Sequence, residues 1–89
     1  MNRTPAETFP VGEHLAEELE ERGWTQAEFA EILGRPSQFV PEIVSGKKEI
    51  TRESAAQIGA ALGTSAELWL NLQDTHRLWR QQHGEPAQE

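Results

Sequence analysis

The stretch TQAEFAEILGRPSQFVPEIVSG, residues Thr25–Gly46, carries most of the information in this chain. Thr25-Gln26-Ala27-Glu28 has the spacing of a capping box: the Thr25 hydroxyl can accept from the Glu28 N–H while the Glu28 carboxylate reaches back to the Thr25 N–H. Trp24 and Phe29 flank it at hydrophobic-staple positions. Phe29, Ile32 and Leu33 form an apolar stripe, Ala30 is small, and Gly34 is a stop. The pattern predicts a two-turn helix over Gln26–Leu33. Arg35-Pro36-Ser37 then reads as a turn and a new start, with Pro36 at the first helical position or Ser37 as its cap. Val40, Ile43 and Val44 give the buried stripe of a third helix ending at Ser45-Gly46. Pro41 belongs in its first turn, on the outer face, because a proline deeper inside costs about 3 kcal/mol. A short helix, a glycine turn and a second helix anchored from behind form a helix-turn-helix, the geometry that presents a helix to DNA.

Working outward, Val11, Leu15 and Leu19 recur every four residues among glutamates, and Gly23 follows, so a first helix is expected over Gly12–Arg22. Lys47–Ile50 reads as a loop. Thr51 caps a fourth helix with Ala55, Ile58 and Leu62 on one face and Gly63 as its stop. Thr64-Ser65-Ala66-Glu67 reads as a second capping box, opening a long last helix to about Gln82. The fold class is all-α: one five-helix domain over residues 12–82, with an N-terminal arm at 1–11 and a tail at 83–89.

Composition narrows the function. The chain has 89 residues, no cysteine, and a formal net charge of −7. Disulfides and thiolate chemistry are thereby excluded. No apolar run approaches the roughly 20 residues that span a bilayer, and no h-region marks a signal peptide, so a cytoplasmic, nucleoid-associated protein is expected. No nucleophile–base pair or phosphate loop is present, so no enzyme is expected. His14, Glu17 and Glu18 have a spacing that can bind metal, but a surface histidine among carboxylates is far commoner; no metal and no cofactor are expected. The negative total argues against nucleic acid, because phosphate contacts dominate such affinity. The distribution argues the other way. Between Arg35 and Arg52 lie four basic residues against two acidic ones, a net +2; the remainder holds four basic and thirteen acidic residues, a net −9.

Thr25–Gly34, followed by Val40-x-x-Ile43 and Gly46-Lys47, resembles the lambda-repressor-like (Cro/C1, or XRE) family. Gly34-Arg-Pro-Ser-Gln38, Glu42-Ile-Val-Ser-Gly-Lys-Lys-Glu-Ile-Thr51 and Ala60-Ala-Leu-Gly-Thr-Ser-Ala-Glu-Leu-Trp-Leu-Asn-Leu-Gln73 are similar to the HigA (VapI-type) antitoxins. The resemblance covers about Phe9–Trp79. It implies a homodimeric repressor of its own operon that neutralises a HigB-like ribonuclease toxin and binds a palindromic operator in double-stranded DNA. Pro41 departs from the small polar residue or Asn usual at its place, so either specificity has changed or this position makes no base contact. A solitary regulator of the same family, or a protein-interaction module on the repressor fold that has lost DNA binding, are the other readings.

On that mapping the third helix enters the major groove by its amino end. Gln38 can pair bidentately with adenine, Ser37 donates or accepts, and Glu42 accepts from cytosine or repels phosphate. Phe39 is placed outward by the same wheel, where it touches a thymine methyl, or else it packs against the second helix or a neighbouring chain. Gln26 clamps a phosphate at the second helix's start. Ser45, Lys47, Lys48 and Arg52 hold the backbone, and Arg35 in the turn does the same or is simply solvated. The Trp69–Leu72 half of the last helix can finish the core; beyond Gln73 it carries Leu78 and Trp79 with little chain left to cover them, so they fold back onto the body or, as expected here, join a two-fold dimer through Trp69, Leu72, His76, Leu78 and Trp79.

Overall fold

The computed structural model describes residues 8–83. Residues 1–7 of the expected arm and 84–89 of the expected tail lie outside the described residues. Five helices follow in order: α1 (Val11–Arg22), α2 (Gln26–Leu33), α3 (Phe39–Ser45), α4 (Arg52–Leu62) and α5 (Ala66–His83). No strand occurs among the described residues, and none of their helices is long and apolar enough to cross a membrane.

Local rules set most boundaries. Pro10 leaves α1 with an extended backbone at ψ 146° and no side-chain cap, and the helix starts one residue before the expected Gly12. At α2 both halves of the capping box form: the Glu28 N–H donates to Thr25 Oγ1 at 3.0 Å, and the Thr25 N–H donates to Glu28 Oε1 at 2.9 Å. Trp24 stacks on Phe29 with centroids 5.7 Å apart, closing the staple. Gly34 adopts φ 73°, its N–H donates to Glu31 C=O, and the Arg35 N–H donates to Ala30 C=O. This Schellman arrangement needs the left-handed backbone that glycine takes without penalty, and it turns the chain sharply toward α3.

α4 is capped by Thr51, whose partner is Ser54 rather than an acidic residue. The Thr51 N–H donates to Ser54 Oγ at 2.8 Å and the Ser54 N–H to Thr51 Oγ1 at 3.1 Å, which satisfies a serine that is fully buried. The second capping box expected at Thr64 does not form. Ser65 caps α5 by accepting from the Leu68 N–H at 3.1 Å, and Thr64 Oγ1 is occupied by the Trp69 indole N–H at 2.7 Å. A buried indole needs an acceptor, and Thr64 supplies it.

The core gathers one stripe from each helix. Trp69, Phe29, Leu15, Leu19, Ile43, Ile58 and Val40 are its largest fully buried members. Trp69 therefore belongs to the core at 2% exposure, which corrects its placement in a dimer surface. Leu72, His76 and Trp79 are half-buried, and only Leu78 of the expected set is widely exposed, at 56%. Two close backbone approaches fix the packing. A Cβ on Gly12 would sit within 2.8 Å of Val44 Cα, so α1 lies directly on α3; one on Gly59 would sit 2.7 Å from Thr64 C=O, so α4 meets the start of α5.

Candidate nucleic-acid interface

α3 is positioned by a turn at its start and a strap at its end. The Phe39 N–H donates to Pro36 C=O at 2.9 Å, so residues 36–38 form a turn and the helix begins at Phe39. Neither expected start holds: Pro36 and Ser37 lie in the turn, and Gln38 occupies the cap position without a side-chain cap bond. Pro41 falls in the first turn, as the sequence suggests. The first helical bond runs from the Glu42 N–H to Gln38 C=O, so the N–H that proline lacks would have had no helical partner.

Ser37 and Gln38 are exposed at the amino end of α3. The Ser37 hydroxyl lies 3.4 Å from Gln38 Oε1, so the two side chains form one polar edge. Phe39 does not join it. It stands four residues before Ile43, shares its buried face, and is 7% exposed; the outward placement is thereby corrected. Its ring instead supports two cations. The Arg35 guanidinium carbon lies 4.5 Å from the ring centroid and Lys48 Nζ 6.0 Å from it.

The loop after α3 carries the remaining positive charge. Gly46, with φ 88°, ends the helix, and the N–H groups of Lys47 and Lys48 both donate to Glu42 C=O. Lys48 Nζ is 3.8 Å from Glu42 Oε1, and both side chains are partly exposed. Glu42 therefore offsets part of one cation and faces the loop. Ser45 is exposed, and its hydroxyl donates back to Glu42 C=O at 3.2 Å. Lys47 and Arg52 are exposed and form no ion pair among the described residues. Gln26 is half-buried as the first residue of α2, beside the capped amino end of that helix.

Two residues that sequence reasoning did not single out hold this loop in place. Gln73 of α5 bonds both backbone polar groups of Ile50: the Ile50 N–H donates to Gln73 Oε1 at 2.7 Å, and Gln73 Nε2 donates to Ile50 C=O at 2.8 Å. Arg77, a turn further on, reaches Glu49 Oε2 at 2.9 Å. Gln73 stands out in the sequence only as the end of the HigA-like Ala60–Gln73 stretch, and Arg77 has no sequence signal. The result is an exposed polar edge before α3 and a fixed cationic loop after it, on a body that is acidic in sum.

Comparison with known proteins agrees with this geometry. Residues 15–69 match the helix-turn-helix family. Antitoxin HigA-1 of Vibrio cholerae is 36% identical over 80 residues, covering 89% of this chain and 75% of the relative. The chain belongs to the HigA antitoxins of the helix-turn-helix family. Among solved structures, a putative antidote protein of a plasmid maintenance system from Nostoc punctiforme is 39% identical, with a TM-score of 0.78, covering 84% of this chain and 82% of that one. The Pseudomonas aeruginosa antitoxin HigA, solved with the higBA promoter, is 27% identical, with a TM-score of 0.78, covering 92% of this chain and all of that one. HigA proteins are regulators and not enzymes, which accords with the absence of a catalytic constellation in the sequence.

Proposed function

We infer that this chain is an operator-binding antitoxin: a homodimer that represses its own operon and neutralises a HigB-like ribonuclease toxin in the cytoplasm. The observation that carries the DNA half is the pairing of an exposed Ser37–Gln38 edge with a strapped loop bearing Lys47 and Lys48. The edge offers an amide fork and a hydroxyl of the kind that read base edges in a major groove about 12 Å wide. Lys47, Lys48, Arg52 and Arg35 supply phosphate contacts, and Gln26 lies where the α2 amino terminus can assist them. Glu42 and Ser45 serve that edge mainly by organising the loop through the Glu42 carboxylate and carbonyl.

The reading calls for a dimer, because one edge reads only a half-site; two related by a two-fold axis read a palindrome with half-sites about 34–36 Å apart. Leu78, with half-buried Leu72, His76 and Trp79 along the same helix, is the apolar surface offered for that contact. The acidic remainder suits a basic, RNA-cleaving partner.

A mobility-shift titration on the protein's own promoter across a salt series tests the DNA half. The apparent affinity should fall linearly on a log–log plot. Lys47→Ala should reduce that slope by about one, and Gln38→Ala should cost about 1–3 kcal/mol with relaxed preference at one base position. A flat salt dependence, or binding untouched by both substitutions, overturns it and leaves the protein-interaction reading. Co-expression with a neighbouring gene product of basic charge tests the antitoxin half: a co-purifying complex and restored growth are expected, and a solitary regulator gives neither.

A further inference from the structure

Arg35 is held more tightly than a solvated arginine in a turn needs to be. Its backbone N–H is fixed on Ala30 C=O at 2.9 Å by the Gly34 turn. Its Nε–H donates to Gln57 Oε1 of α4 at 2.9 Å. Its guanidinium plane lies against the Phe39 ring, 4.5 Å from the centroid. A guanidinium has five N–H donors. One is spent on Gln57; the four on the terminal nitrogens make no hydrogen bond or ion pair among the described residues. The side chain is half-buried, so it has already given up most of its rotamer freedom. Phe39 also lies beneath Lys48, which places Arg35 and the cationic loop around one ring at the start of α3.

On the operator-binding reading, we propose that Gln57 is a positioning residue for DNA recognition, holding Arg35 over Phe39 as a pre-formed clamp for one backbone phosphate beside the Ser37–Gln38 edge. A planar fork with its stem fixed and its ends unspent matches the bidentate geometry of a phosphate. Fixing it beforehand removes the ordering cost that a free arginine incurs on binding. The charge sits on Arg35; the geometry comes from α4 and from an aromatic ring that touches no DNA itself.

The test is a double-mutant cycle on operator affinity. Gln57→Met keeps the volume and removes the acceptor. It should weaken binding about 3- to 10-fold, the equivalent of freeing one long side chain, with the salt slope unchanged because no charge is lost. Arg35→Ala should weaken binding further and lower the slope by about one. In the Arg35→Ala background, and in Arg35→Lys, which lacks the Nε donor, Gln57→Met should have no further effect. Additive losses, or an unchanged affinity for Gln57→Met, overturn the proposal. A second readout needs no DNA: the Arg35 Nε–H resonance of the free protein should be sharp and slow to exchange, and should broaden in Gln57→Met. An already averaged resonance in the unmodified protein overturns the anchoring even when operator binding is intact. Failure of the unmodified protein to bind the operator with a salt slope instead removes the operator reading, and the clamp with it.

Discussion

α3 and α5 are the two helices assigned to outside partners, and they are built on opposite plans. α3 has seven residues, and both of its ends are tied: by the Pro36–Phe39 turn at the start, and by Gly46 with the two lysine N–H groups at the finish. Phe39, Val40 and Ile43 are all buried. What remains outside is short: Ser45 is exposed, and Pro41, Glu42 and Val44 are only partly covered. α5 has eighteen residues and is tied mainly along its first half, through Ser65, Trp69 and Gln73. Its far half carries Leu78, more than half exposed. Reading a rigid, charged groove requires donors fixed before contact. Pairing with a second copy requires apolar area, which needs less directional precision. On the proposed function, the same small core serves both needs by burying the inner face of α3 and only the first half of α5.

The strongest way to break this contrast is at the point where α5 still belongs to the core. Trp69→Ala should cost about 3–5 kcal/mol, a large share of the roughly 5–15 kcal/mol that stabilises a typical domain, and denaturant unfolding should show the midpoint collapse. Tested at the helix contact instead, Gly12→Ala should cost about 1–3 kcal/mol by forcing α1 away from Val44. Because α1 lies on the carboxyl half of α3, operator affinity should fall along with thermal stability. Leu78→Ser sharpens the contrast from the other side. The folded monomer should keep its unfolding midpoint, while the dissociation constant of the proposed dimer, read by sedimentation, rises about tenfold or more, as expected when both copies of Leu78 lose apolar burial.

The smallest effect concerns pH. Burial is the main cause that lowers the His76 pKa below its ordinary 6.5; Arg80 and His14 push the same way and Glu13 opposes them. Nδ1 lies 3.0 Å from Thr8 Oγ1, and the ring stacks against Trp79 at 6.1 Å. The fold favours the neutral ring, so the unfolded chain takes up the proton first. Stability contributed by His76 is therefore present above pH 6.5 and is lost as the pH falls from there toward the folded value. Melting temperatures at pH 7.5 and 5.5 should diverge less in His76→Gln than in the unmodified protein.

Much of the fold was legible because its signals are local. Thr25 with Glu28, Trp24 with Phe29, and Gly23, Gly34, Gly46 and Gly63 each act over a few residues, and every one of those glycines has a positive φ. The misreadings have local causes too. Thr64 loses its cap role because a side chain five positions ahead claims its hydroxyl. The outward polar neighbours Ser37 and Gln38 mask the inward direction of Phe39, which its four-residue spacing to Ile43 sets. The site was less legible. Ser37, Gln38 and the lysines stand out as residue types, but Gln57 and Gln73 act across 22 and 23 positions of chain, on partners that only the packed helices bring near.

The three tryptophans have an optical consequence. With no tyrosine in the chain, near-ultraviolet emission comes from Trp24, Trp69 and Trp79 alone. Trp69 is sealed inside and bonded to a hydroxyl, Trp24 is half-covered with Arg22 5.9 Å from its ring, and Trp79 sits on the last turns of α5 beside His76. Replacing any two by phenylalanine leaves a single emitter. Its spectrum then follows unfolding of the core, motion at the mouth of the helix-turn-helix, or events at the end of α5, and the protein needs no attached dye.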